Sequence, residues 1–200
     1  MPTSVSNKQR GRPKSTSKKV TGLSPDEVFS LLRKHQGPVE WQPRFDPISE
    51  LVFTILSQHT SDINAFNAFN SLWETFGSWE NVLDAKDKDI ANSIYMGGLS
   101  NIKAPRIKSV LNHIKEERGN LSIDFLKELG LDEAKTWLKN IPGIGPKTAA
   151  VVLSFSLGMP AMPVDTHIYR VSKRLGLIKP NITVDKAHEI IEAQIKQERI

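Results

Sequence analysis

The chain has 200 residues, 38% of them hydrophobic, which is enough to bury a core in one large domain or two small ones. It has no cysteine, so disulfides, zinc–thiolate sites and cysteine-ligated iron–sulfur clusters have no ligands within it. No apolar run approaches the roughly 20 residues that cross a bilayer, and the N-terminus lacks a signal-peptide core, so a soluble intracellular protein is expected. The net charge of +5 is unevenly placed: residues 1–20 carry six basic side chains and no acid, while the rest carries 21 basic and 22 acidic ones. The body is near neutral, and any affinity it has for nucleic acid must come from a local patch.

Residues 1–20 are rich in Ser, Thr, Lys and Pro and are expected to be a disordered basic tail. Within them "RGRP", with Arg10 and Arg12, resembles an AT-hook core. An extended Arg-Gly-Arg can lie in a narrow A·T minor groove, where the negative potential attracts guanidinium groups. A merely solubilising tail is the alternative. Order is expected from "LSPDEVFSLL", where Ser24 can cap, Pro25 suits the first helical position and Glu27 completes a capping box. "FDPISELVFTILSQ" repeats the device with Asp46 and Pro47, and puts Leu51, Val52, Ile55 and Leu56 on one apolar face. "SDINAFNAFNSLWETFG" predicts a helix stopped by Gly77. Further helices are predicted over 86–95, 101–117, 122–129, 132–139, 146–157, 166–176 and 184–198. Strand-like alternation is absent, so the class is all-α.

The stretch "IPGIGPKTAA", residues 141–150, carries the chemistry. A P-loop needs glycine directly before Lys-Thr, where Pro146 stands, and a dinucleotide fingerprint needs a third glycine and a preceding strand. What fits is a helix, a tight hairpin and a second helix with Pro146 at its start. Gly143 and Gly145 clear side chains from the turn, so main-chain N–H groups can approach a phosphate at a helix N-terminus. Such a hairpin holds a DNA backbone without reading bases. Lys147 falls in the first turn of the second helix, where the helix dipole disfavours its charge by under about 1 kcal/mol. A nucleophilic amine needs its pKa lowered by roughly 3 units, about 4 kcal/mol, so burial or neighbouring cations would have to supply most of it. A surface lysine binding phosphate is the alternative.

The helix from Pro146 to Leu157 advances roughly 17 Å and ends at Gly158. "MPAMP" favours an extended path, and the eight steps from Leu157 to Asp165 can cover up to about 28 Å. The chain can therefore return and set Asp165 beside Lys147. Asp165 also opens "DTHIYRVSKRLG", where it would serve as an N-cap.

"IPGIGPKTAAVVL…VDTHIYRVSKRLGL" resembles the helix–hairpin–helix (HhH-GPD) DNA glycosylase superfamily, closest to endonuclease III, with support from "ILSQHTSD" and "GGLSNIKAPRI" upstream. The resemblance covers roughly residues 24–198 and implies two helical lobes within 21–200. It implies that Lys147 attacks C1′ of a damaged nucleotide and forms a Schiff base that permits β-elimination, and that Asp165 stabilises the cationic sugar. Gly143, Ile144, Gly145 and Thr148 would hold the DNA backbone, with a monovalent cation on the 141–145 carbonyls in relatives. Leu99 lies at the family's wedge leucine, with Asn101 and Lys103 in the same DNA-facing segment. Gln58 or His59 lies where relatives insert a glutamine. Thr54 stands where adenine-removing relatives carry a glutamate, which argues against adenine excision. The family's four-cysteine 4Fe–4S segment has no counterpart, so no cofactor is expected in this chain and a cluster only if the sequence is truncated; the second lobe is then incomplete. The implied function is base excision repair: a glycosylase and AP lyase removing damaged pyrimidines from double-stranded DNA. The chain would act as a monomer, in the cytoplasm or nucleoid of a prokaryote or the nucleus of a eukaryote. A mismatch-specific thymine or uracil glycosylase and a non-catalytic DNA-binding module are the alternatives.

Overall fold

Cap chemistry decides where the first helices begin. The computed structural model describes residues 22–195; the basic tail with Arg10 and Arg12 lies outside them. Helix α1 (Pro25–Gln36) opens on Ser24, whose hydroxyl accepts from Glu27 N while the Glu27 carboxylate accepts from Ser24 N and Oγ. These bonds hold the Glu27 carboxyl below its usual range. Helix α2 (Pro47–Ser57) opens on Asp46, which accepts from Ile48 N and Ser49 N. Helix α3 (Asp62–Phe76) ends at Gly77 in the left-handed conformation, as its sequence predicts.

Short helices α4 (Trp79–Asp84) and α5 (Asp87–Ser93) follow, and then α6 (Ser100–Arg118). The six residues of α4 were not foreseen; one and a half turns are too few to show periodicity. The helix expected over 122–129 is a 3-10 segment, Asp124–Glu128. Helices α7 (Leu131–Asn140), α8 (Pro146–Phe155), α9 (Thr166–Leu175) and α10 (Val184–Gln194) complete the order, and every regular element among the described residues is helical.

α2 is the centre of the main core. The sequence shows one apolar face, yet every residue from Pro47 to Leu56 is buried, because α3, α6 and α8 pack around it. Full enclosure takes Glu50 with it, at 0% exposure. A lone buried carboxylate costs several kcal/mol. Arg44 answers it with Nε and Nη2 on the two carboxylate oxygens, while its guanidinium stacks 4.5 Å from the Phe53 ring centroid. A smaller cluster of Val164, Ile178, Ala187 and Ile191 joins the start of α9 to α10. Removing one partner of the buried pair should be the costly change. Arg44→Ala should lower stability by about 3 kcal/mol in urea unfolding, and adding Glu50→Gln should recover part of the loss.

Candidate active site

The hairpin between α7 and α8 is pinned by its apolar residues and opened by its glycines. Ile141 and Ile144 are buried, and Ile144 N closes the turn onto Ile141 O at 3.0 Å. Gly143 adopts φ +90°, which L side chains avoid, and a Cβ there would lie 2.9 Å from Arg106 Nε. A Cβ at Gly145 would meet nothing within 4 Å, so the surface beside it is open. Ala149 N is the first α8 donor with a main-chain acceptor, Gly145 O at 3.0 Å. The N–H groups of Lys147 and Thr148 therefore have no intrahelical partner.

Lys147 lies exposed in this first turn. The chain does turn back after α8. Met159 N donates to Leu153 O at 2.9 Å, Ala161 is fully buried, and Met162 N donates to Glu192 Oε2 at 2.9 Å. Asp165 then caps α9, its Oδ1 accepting from His167 N at 2.9 Å and Ile168 N at 2.7 Å. Both capping bonds fall on Oδ1. Lys147 and Asp165 line one cleft of about 900 Å³ together with Gly143, Gly145 and the loop of Gln58 and His59. The ion pairs within 4.0 Å among the described residues do not include Lys147 with Asp165, so neither group neutralises the other by direct contact.

Residues 52–197 match the profile described as HhH-GPD superfamily base excision DNA repair protein. The chain belongs to the HhH-GPD superfamily. It is 40% identical over 148 residues to a protein of Arabidopsis thaliana that bears a DNA glycosylase name, covering 74% of this chain and 50% of that one. It is 34% identical over 153 residues to endonuclease III of Thermotoga maritima, covering 76% and 67%. The chain thus spans half to two thirds of the length of these relatives. Among solved structures, a trapped endonuclease III–DNA covalent intermediate superposes with a TM-score of 0.72 at 25% identity, covering 88% of this chain and 80% of that one. A non-covalent endonuclease III–DNA complex gives 0.71 at 26% identity, covering 86% and 76%.

Within this HhH-GPD chain the expected DNA-facing residues divide. His59 and Leu99 are the two non-glycine residues with positive φ among those described, at +55° and +52°, and both are exposed. The left-handed region costs such residues about 1 kcal/mol each. Asn101 is exposed beside Leu99, whereas Gln58 is half-buried and its Oε1 accepts from Arg106 Nη1 at 3.0 Å. Ile144 and Thr148 turn their side chains inward, leaving main-chain groups for a partner at this surface. Lys103 needs correcting as a DNA contact. It is 3% exposed, and its ammonium donates to Leu56 O at 2.7 Å and Gly97 O at 2.8 Å.

Two residues of the site were missed. Arg106 donates to both Gln58 and Gly143 O, joining the α2 end to the hairpin. It stands one helical turn beyond Lys103, but its partners are 48 and 37 residues away, so no local pattern reports it. His188, on α10, lines the same cleft and its Nδ1 lies 3.2 Å from Val164 N, next to Asp165. Arg106 also bears on the cation expected at the 141–145 carbonyls. Ile141 O, Gly143 O and Gly145 O each accept a hydrogen bond already, and the guanidinium brings a positive charge to the turn. The capping role of Asp165 can be separated from its charge. Asp165→Asn should leave thermal stability within about 0.5 kcal/mol, while Asp165→Ala should cost about 1 kcal/mol.

Proposed function

We propose that the chain is a base-excision DNA glycosylase with an associated lyase activity, acting on damaged pyrimidines in duplex DNA through Lys147. One observation carries this reading: Lys147 and Asp165, 18 residues apart in sequence, open onto a single cleft beside a glycine hairpin. A role confined to gripping DNA would use the hairpin and need no carboxylate brought to the same cleft.

In the proposed reaction the damaged nucleotide leaves the stack and enters the cleft. The uncharged amine of Lys147 attacks C1′, and the glycosidic bond breaks with its electron pair leaving on the base, which takes up a proton. The C1′–O4′ bond then opens as one proton passes from Nζ to O4′, giving an iminium between C1′ and Nζ and a free 4′ hydroxyl. Loss of a C2′ proton expels the 3′ phosphate, and water hydrolyses the imine to restore Lys147. Asp165 stabilises the positive charge that develops on the sugar, with Oδ2 outside the α9 cap. Lys147 is exposed. In the proposed complex the nucleotide that fills the cleft covers the amine. The backbone is held at the α8 N-terminus, where the N–H groups of Lys147 and Thr148 face outward from the helix start. The likeness to a trapped endonuclease III–DNA covalent intermediate supports a covalent route. Endonuclease III relatives at 34–36% identity support its place among DNA-repair enzymes.

Borohydride should trap a covalent complex between the protein and abasic duplex DNA, and Lys147→Ala should abolish it. Wild-type trapping in the alanine variant would exclude Lys147 as the nucleophile. Asp165→Asn should slow trapping by about 100-fold or more, read as a single-turnover rate. Arg10 and Arg12 are assigned to added backbone or minor-groove contacts. Deleting residues 1–20 should flatten the salt dependence of duplex binding by about one log–log unit for each phosphate that the tail neutralises. An unchanged slope would mean that the tail does not touch DNA.

A further inference from the structure

A buried lysine that touches neither the cleft nor solvent has no part in the chemistry above. Its two acceptors show what it does. Leu56 O belongs to the last turn of α2, where carbonyls lack intrahelical partners, and Gly97 O belongs to the 3-10 turn Tyr95–Gly97. Three residues beyond Leu56 comes His59, and two beyond Gly97 comes Leu99, the two left-handed non-glycine residues among those described. One nitrogen therefore holds the roots of both strained loops, within 2.8 Å of each carbonyl. The main chain completes the bracket, since Lys103 N donates to Leu99 O at 2.9 Å. Gly97 is itself pressed onto α3, where a Cβ would lie 2.9 Å from Ala68 Cβ, so this root cannot drift toward the protein. Burial pushes the Lys103 ammonium below the ordinary lysine range, a cost that a merely space-filling residue would not incur.

We propose that Lys103 is a positioning residue that fixes the spacing of the His59 and Leu99 loops, so that both tips enter a duplex together when a nucleotide is extruded. The proposal rests on the DNA-repair reading of the cleft and adds a residue that does not touch DNA. Binding energy that would be spent ordering two separate loops is then already spent in the free protein. Extrusion suffers if the loops are decoupled, while chemistry on an already extruded nucleotide does not.

The test compares two abasic substrates of one sequence: a fully paired duplex, and a duplex carrying the abasic site in an unpaired bulge. Single-turnover borohydride trapping is measured for the full chain, for Lys103→Met, which keeps the length but loses the donors, and for Leu99→Ala. Thermal melts accompany each variant, and 2-aminopurine beside the site reports unstacking. Lys103→Met is expected to slow trapping on the paired duplex by about tenfold or more and to stay within about twofold on the bulge, with a reduced 2-aminopurine signal. Leu99→Ala should also slow trapping on the paired duplex. Equal losses on both substrates, or no loss on either, overturn the proposal. If the methionine variant is unfolded at the assay temperature, Lys103→Gln replaces it. Should neither fold, Lys103 serves the core and not the loops, which also overturns it. Wild-type protein that traps neither substrate instead refutes the Lys147 reading, and this proposal falls with it.

Discussion

The eight residues from Gly158 to Asp165 decide whether this molecule has a site at all. They form no regular element, and they must carry a carboxylate back from the far end of α8 to its beginning. Hydrogen bonds within the α8 end start the return, and side chains of α10 complete it. Glu192 takes the N–H of Met162 and pairs with Lys135 of α7, while His188 meets Val164. The carboxylate of Asp165 is thereby placed by a helix more than 20 residues further along the chain. Without α10 to hold it, the return path would be one of many open to an extended segment.

Buried or half-buried charge recurs where the fold joins distant pieces. Glu50 with Arg44 secures the start of α2, Lys103 secures its end, and Lys135 with Glu192 ties α7 to α10. Such groups contribute little net stability, because desolvation offsets most of the attraction. They do penalise every arrangement that leaves them unpaired. An apolar core around α2 could tolerate a small rotation of that helix; a core containing Glu50 and capped by Lys103 cannot, and the loops of His59 and Leu99 inherit that rigidity. α6 is central to this. Lys103 and Arg106 lie one turn apart and between them reach the α2 end, the turn before Leu99 and the hairpin.

The cleft divides its tasks between local and distant structure. The hairpin and the α8 N-terminus are made by one contiguous stretch, with Arg106 of α6 as a tether from outside it. The meeting of Lys147 and Asp165 in one cleft, the tether on Gln58 and the projection of His59 and Leu99 each depend on contacts between elements remote in sequence. The proposed grip on a backbone and the proposed reaction at a sugar thus draw on different parts of the fold.

The sequence by itself determined the local features: the caps at Ser24, Asp46 and Asp165, the stop at Gly77, the turn at Gly143 and the all-helical class. Each is written in a few adjacent residues whose side chains satisfy or clear their own main chain. Lys147 and Asp165 were legible for a related reason, since their spacing and flanking residues carry the family's pattern. Only the tertiary structure decided that α2 is enclosed on every side, that Lys103 faces inward, that Arg106 belongs to the site and that His59, not Gln58, is the exposed tip of its loop. On α6 the resemblance puts Lys103 in a DNA-facing segment and gives Arg106 no role. Which way these side chains turn depends on acceptors 47 and 48 residues away, and no local propensity encodes those.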